Sequence, residues 1–142
     1  MIALRQISEF LDFKTNGPGL YEITTRVTHW LEDTGIGDGL LTSFIRHTSA
    51  SLLIQENADP AVQVDSDAFF RRIAPEDPTR YQHRGEGPDD IPAHLQAALT
   101  QTQLSIPVIG RDLALGTWQG IYLFEHRNQP HSRTVAVHLI GD

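Results

Sequence analysis

Residues 2 to 13 alternate loosely between apolar and polar side chains, and the alternation stops at TNGPG, whose Asn, Gly and Pro favour a turn. A first strand and a second short strand near Leu20 to Ile23 are expected. In TTRVTHWLEDTG the period becomes helical, with Val27, Trp30, Leu31 and Thr34 on one face and Gly35 as the stop. Alternation returns in LLTSFIRH. Leu41, Ser43, Ile45 and His47 share one face and Leu40, Thr42, Phe44 and Arg46 the other, which points Arg46 and His47 to opposite sides of a sheet. SLLIQE reads as the next strand. Asp59 and Pro60 then supply the cap and first-turn residue of a second helix, with Val62, Ser66, Phe69 and Ile73 as its inward stripe and Pro75 as its limit.

From Pro75 to Asp90 the chain is rich in proline, glycine and charge, and long loops of this kind in compact domains are usually functional or mobile. IPAHLQAALTQ predicts a third helix, opened by Pro92 and by Asp89 and Asp90 at its positive end, with Ile91, Leu95, Ala98 and Leu99 as its apolar stripe. His94 falls in that stripe. LSIPVI, LALG, TWQGIYLFEH and TVAVHLI read as strands joined by short turns. About three short helices among roughly eight strands, without a βαβ alternation, predict an α+β fold of antiparallel strands in two packed sheets. At 142 residues the chain is expected to form one domain, 1–142.

Composition narrows the chemistry. Eleven Lys and Arg against 18 Asp and Glu give a net charge of −7, which argues against a nucleic-acid partner. With no cysteine, thiolate metal sites and cysteine nucleophiles are excluded, so a metal would rest on His, Asp or Glu. Arg5, Glu9 and Asp12 interrupt the first apolar run and no run approaches the ~20 residues of a membrane span, so a soluble cytoplasmic protein is expected.

Three histidines stand out: His47 at a strand end, His83 in the polar loop and His94 on a helix. Each can bond a backbone carbonyl or solvent, or the three can converge on one divalent metal, since neutral imidazole is the commonest protein ligand for Zn and similar ions. Glu56 and Asn57 follow the SLLIQ strand where capping does not explain them, which makes them the candidate catalytic pair or partners of a histidine. Trp118 and Gln119 sit between glycines at a strand entry, either walling a pocket or closing a sheet edge. Arg127 and Arg133 flank a turn with Ser132, which is either an anion-binding corner or a solvated hairpin tip.

HTSASLLIQENADP (47 to 60), Tyr81 and His83 leading into EGPDDIPAH (86 to 94), and LALGTWQGIYLFEHR (113 to 127) together resemble the YjbQ family. These are small proteins also described as secondary thiamine-phosphate synthases. The resemblance implies a homotrimer with sites near subunit boundaries and a cleft lined by His47, His83 and His94. It also places a cysteine where this chain has Phe124, so no thiol can act there.

The implied activity joins hydroxymethylpyrimidine diphosphate to thiazole phosphate with loss of pyrophosphate. On that reading the three histidines hold a divalent metal, Zn or Mg. Arg127 and Arg133 with Ser49 and Ser51 receive phosphate oxygens, Gln119 joins them in binding substrate, and Trp118 stacks on a ring. Two other functions fit the same residues. One is a metal-dependent hydrolase of a small ester or phosphate with Glu56 as general base. The other is a trimeric module that binds a small anionic metabolite without turnover.

Overall fold

The computed structural model describes residues 3–142, so Ile2, the start of the first alternating run, lies outside the described residues. The chain runs β1 (Arg5–Thr15), β2 (Gly19–Glu22), α1 (Thr24–Thr34), β3 (Gly39–Ile45), β4 (Ala50–Glu56) and α2 (Pro60–Ile73). A single 3-10 turn (Pro78–Arg80) follows, then α3 (Asp90–Leu99), β5 (Gln103–Ile109), β6 (Asp112–Leu113), β7 (Gln119–Glu125) and β8 (His131–Gly141). Five strands pair in the order β1-β8-β3-β5-β6 and three in the order β2-β7-β4, every pair antiparallel. The α+β architecture expected from the alternation is the one the chain adopts. No helix among the described residues is long and apolar enough to cross a membrane.

The side-chain period of two assigns each strand its faces. Leu41, Ser43 and Ile45 of β3, Ile106 and Val108 of β5, and Val135, Val137 and Leu139 of β8 all point inward and are buried. Ala50 and Leu52 of β4 with Ile121 and Leu123 of β7 meet them from the three-stranded sheet, and Val27, Trp30 and Leu31 of α1 complete the same core. The second face of the three-stranded sheet is covered as well. Phe70 of α2 packs edge-on against Phe124 at 5.5 Å, and Gln63 of α2 donates to the Tyr122 hydroxyl at 3.0 Å. Covered on both faces, β7 is buried along its whole length after Gln119, which is why its sequence reads as an apolar run.

Two helices present faces other than those expected. Phe69 and Ile73 of α2, assigned to an inward stripe, are 47% and 46% exposed, and no α2 residue is buried. On α3 the buried residues are Asp90, Pro92, Ala93 and Gln96, while Leu95 and Leu99 face outward. Polar partners turn α3 this way: Gln96 donates to the Ala74 carbonyl at 3.3 Å, and Asp90 accepts from Arg127 at 2.9 Å. These bonds offset the exposure of a few apolar side chains on the opposite face. The cap of α2 is as expected, Asp59 accepting from the Ala61 N–H at 2.9 Å.

Gly39 and Gly141 face each other across β3 and β8. A Cβ on Gly39 would run into the Ile140 carbonyl oxygen and the Gly141 backbone. Gly39→Ala is therefore expected to cost about 1–3 kcal/mol, the usual range for overpacking, and to lower the urea midpoint without changing the slope of the unfolding curve.

Candidate functional site

Where the chain crosses from the five-stranded to the three-stranded sheet, between β3 and β4, a cleft of about 680 Å³ opens against α3. His47, Thr48 and Ser49 of the crossing, Arg133 of β8, and His94, Ala97 and Ala98 of α3 line it. Arg46 lines it too. Although Arg46 and His47 follow each other at the end of an alternating run, β3 stops at Ile45 and the strand rule no longer separates them. The Arg46 guanidinium lies 4.7 Å from the centre of the Phe10 ring and, among the described residues, has no carboxylate at ion-pair distance.

The floor of the cleft is a buried ion pair. Arg133 donates to Glu125 from Nε at 2.7 Å and from Nη2 at 2.5 Å, and Nη2 also reaches the Ser49 carbonyl at 3.3 Å. Thr15 donates to the same carboxylate at 2.5 Å, and the His126 and Arg127 N–H groups donate at 3.1 Å. Burial alone would push the Glu125 carboxyl up, but Arg133, Thr15 and the backbone donors together hold it below the usual carboxylate range. Arg133 is thus committed to Glu125, and its charge is spent inside the fold.

His47 hangs above this pair, its Nε2 accepting the Thr134 N–H at 2.8 Å. That bond puts the proton of the neutral ring on Nδ1, 3.4 Å from Arg133. Burial first, then the Arg133 charge, lowers the pKa of His47 and favours the neutral ring.

On the other side of the cleft His94 Nδ1 lies 2.8 Å from the Thr48 carbonyl, which only accepts, so Nδ1 carries the proton and Nε2 of the neutral ring carries the lone pair. That Nε2 faces Asp90 Oδ1 at 3.3 Å, and His83 Nε2 faces Asp90 Oδ2 at 3.3 Å. Glu86 comes within 3.9 Å of His83. His83, Glu86 and Asp90 each offer one ligand atom within 4.8 Å of the others, the spacing a metal ion requires. Asp90 Oδ2 is buried and has no hydrogen-bond partner. A donor set of one imidazole nitrogen and two carboxylates suits Zn or a similar divalent ion. The three histidines therefore do not share one centre: His83 and His94 meet at Asp90, and His47 stands apart with Nε2 already bonded.

Arg127 clamps this acidic cluster. Its Nε donates to Asp89 at 3.0 Å, Nη1 to Asp90 at 2.9 Å and Nη2 to the Glu86 carbonyl at 3.2 Å. Burial would raise Asp89, but the Asn128 N–H and Arg127 hold it below the ordinary range. Asp89 and Asp90 stand at the head of α3 as expected, but their carboxylates hold a guanidinium, and Asp89, at the N-cap position, makes no side-chain cap bond.

Four of the remaining candidates lie elsewhere. Glu56 pairs with Gln119 at the end of β4 opposite Ala50, six residues or ~20 Å from the cleft. The Asn57 backbone N–H donates to the Trp118 carbonyl there at 3.0 Å and its side chain to Glu22 at 3.2 Å, Trp118 is 60% exposed, and Gln119 closes its own turn by accepting from the Gly116 N–H at 2.7 Å. Ser49 stays at the cleft, whereas Ser51 faces the helices, 2.9 Å from His126 Nε2 and 2.5 Å from the Thr100 hydroxyl. Phe124 fills the core beside His126, ring centres 4.3 Å apart.

His126 Nδ1 is buried without a partner, and burial pushes this histidine down to about 3. Its folded pKa is below the unfolded one, so stability is full above about pH 6.5 and is lost as pH falls and the unfolded chain takes up the proton. Between pH 6.5 and 5 this residue is expected to cost about 2 kcal/mol. Urea unfolding of wild type and His126→Gln over that interval checks it, the variant showing a correspondingly flatter dependence.

The family profile described as "UPF0047 protein YjbQ-like" matches residues 9–142. A UPF0047 protein of Synechocystis sp. is 49% identical over 138 residues, 97% of this chain and 94% of its own length. YjbQ of Escherichia coli O157:H7 is 38% identical over 133 residues, covering 93% and 96%. Among solved structures, an uncharacterized yjbq/upf0047 family protein of Clostridium acetobutylicum superposes with a TM-score of 0.78 at 31% identity, over 92% of this chain and 97% of that one. A protein of unknown function from Sulfolobus solfataricus shares the fold with a TM-score of 0.85 at 23% identity, over 97% and 100%. Matched by the family profile from residue 9 onward and by relatives along nearly their full length, the chain belongs to the YjbQ (UPF0047) family.

Proposed function

We propose that the protein is an enzyme that holds a divalent cation at His83, Glu86 and Asp90, with His94 on the other oxygen of Asp90, and acts on a small phosphorylated molecule in the adjoining cleft. The observation that carries this reading is the Asp90 carboxylate, buried with one oxygen unpartnered between two imidazole Nε2 atoms at 3.3 Å. A bound divalent ion supplies Lewis acidity toward a phosphoryl oxygen or water. The chain's own residues do the rest. Thr48 orients His94, Arg127 steadies Asp90, Ser49 and the neutral His47 line the cleft, and Arg46 receives the anionic group at its mouth.

Within this reading the coupling of a pyrimidine diphosphate to a thiazole phosphate, suggested by the family resemblance, is the first reaction to test. Hydrolysis is the second, favoured by a specific observation. Arg127 and Arg133, expected to receive phosphate, are each held by carboxylates, which leaves fewer cationic donors for a departing pyrophosphate. Glu86, rather than the remote Glu56, is the glutamate beside the histidines.

Elemental analysis after loading with Zn should find one ion per chain, with affinity reduced at least about tenfold in Asp90→Asn and His83→Ala. Undiminished metal content in both would remove the site. With metal present, thiamine phosphate formed from the two precursors identifies the synthase, and phosphate released from simple esters identifies the hydrolase. Saturable binding without either product leaves a binding module.

We further propose that the chain assembles as a homotrimer through the outer face of the five-stranded sheet. Phe10, Leu40, Phe44, Ile109 and Ile140 are exposed there, a larger apolar patch than isolated soluble chains usually present. Phe44 also borders the cleft, which brings a subunit boundary close to the site. Light scattering after gel filtration is expected to give three times the mass of the chain, and Phe44→Glu to reduce it to one.

A further inference from the structure

A second cavity, about 310 Å³, lies between the 3-10 turn and the start of α3 and shares no lining residue with the first cleft. Pro78, Tyr81, Pro88, Ile91 and Pro92 make its walls, so three of the chain's eight prolines surround one small space. His83 belongs to it as well. The same imidazole that faces Asp90 Oδ2 at 3.3 Å therefore forms the boundary between an apolar slot and the acidic cluster.

The slot is held open by bonds within its own segment. The Tyr81 hydroxyl donates to the Pro75 carbonyl at 2.8 Å, which fixes the ring. Asp77 accepts from the Thr79 N–H at 3.1 Å and from its hydroxyl at 2.6 Å, and Arg84 Nε donates to the Tyr81 carbonyl at 2.8 Å. Proline rings and a tethered tyrosine lose little freedom when a ligand enters, so the apolar surface they bury counts almost fully toward binding. The volume sits at the lower end of small-molecule sites, which run from ~300 to ~1,000 Å³, and suits one ring rather than a whole ligand.

We infer that this slot is a subsite for an apolar, ring-sized group of a small molecule whose charged end lies at His83 and Asp90. Only the position of the charged end rests on the proposed cation site. Substrates with a single ring next to a phosphate would be selected over aliphatic phosphates of the same charge. Burying a phenyl group is worth about tenfold or more in affinity.

The test uses benzyl alcohol as an uncharged probe, followed by benzyl phosphate against methyl phosphate in the presence of Zn. Benzyl alcohol is expected to shift the Ile91 methyl and Tyr81 ring NMR signals saturably, with or without metal. Benzyl phosphate should bind about tenfold tighter than methyl phosphate. Ile91→Trp, which fills the slot, should abolish the Tyr81 response and the tenfold preference while leaving methyl phosphate binding unchanged; Ile91→Met should retain both. A silent Tyr81 and Ile91 in the wild type, or a Tyr81 response that survives Ile91→Trp, overturns the subsite. If Asp90→Asn loses phosphate ester binding but keeps the benzyl alcohol response, the subsite stands independently of the cation. If Zn fails to bind the wild type while the benzyl alcohol response persists, the cation reading fails and the subsite remains.

Discussion

The site is organised around the buried pair of Arg133 and Glu125. Glu125 ends β7 in the three-stranded sheet, and Arg133 lies near the start of β8 in the five-stranded sheet, so the pair joins the two sheets where they diverge. Thr15 of β1 and the Ser49 carbonyl of the crossing segment join the same network. Removing one partner of such a pair typically costs about 3–5 kcal/mol, because the other charge is left buried and alone. An apolar pair of equal volume is often no less stable, so the ion pair is better understood by what it positions. It sets the height of the crossing segment, and through Thr48 and Ser49 it sets the wall that faces His94.

Charge is arranged in a second, separate way at α3. Asp89, Asp90 and Glu86 converge at the head of the helix, and Arg127 answers two of them with a fork of donors. One guanidinium against three carboxylates leaves the cluster acidic on balance, and the imidazoles of His83 and His94 complete it. A chain of net charge −7 thus concentrates negative charge where a cation would be welcome. At the cleft mouth the balance reverses, since Arg46 stands without a carboxylate partner among the described residues.

Much of this could be read along the chain. Alternation in LLTSFIRH and TVAVHLI correctly sorts the inward residues of β3 and β8, since burial of one sheet face imposes a period of two. His47 and His94 emerge from residue type and place as lining residues of one cleft. Asp90 was legible only as a helix-end charge, because its role depends on Arg127, thirty-seven residues later. Glu125 and His126 carried little local signal: their side-chain partners Arg133, Thr15 and Ser51 come from other strands. Glu56 misleads for the opposite reason. It neighbours the motif in sequence, yet an extended strand carries it ~20 Å away.

The sequence by itself determined most of the elements, their order and the family, since hydrophobic period, turn residues and short motifs act over a few positions; of LALG, read as a strand, only Leu113 belongs to one. Only the tertiary structure decided which side of α3 is buried and which histidines meet. Those outcomes depend on hydrogen bonds and ion pairs between segments tens of residues apart. Their strength comes from a burial that exists only once the sheets have closed.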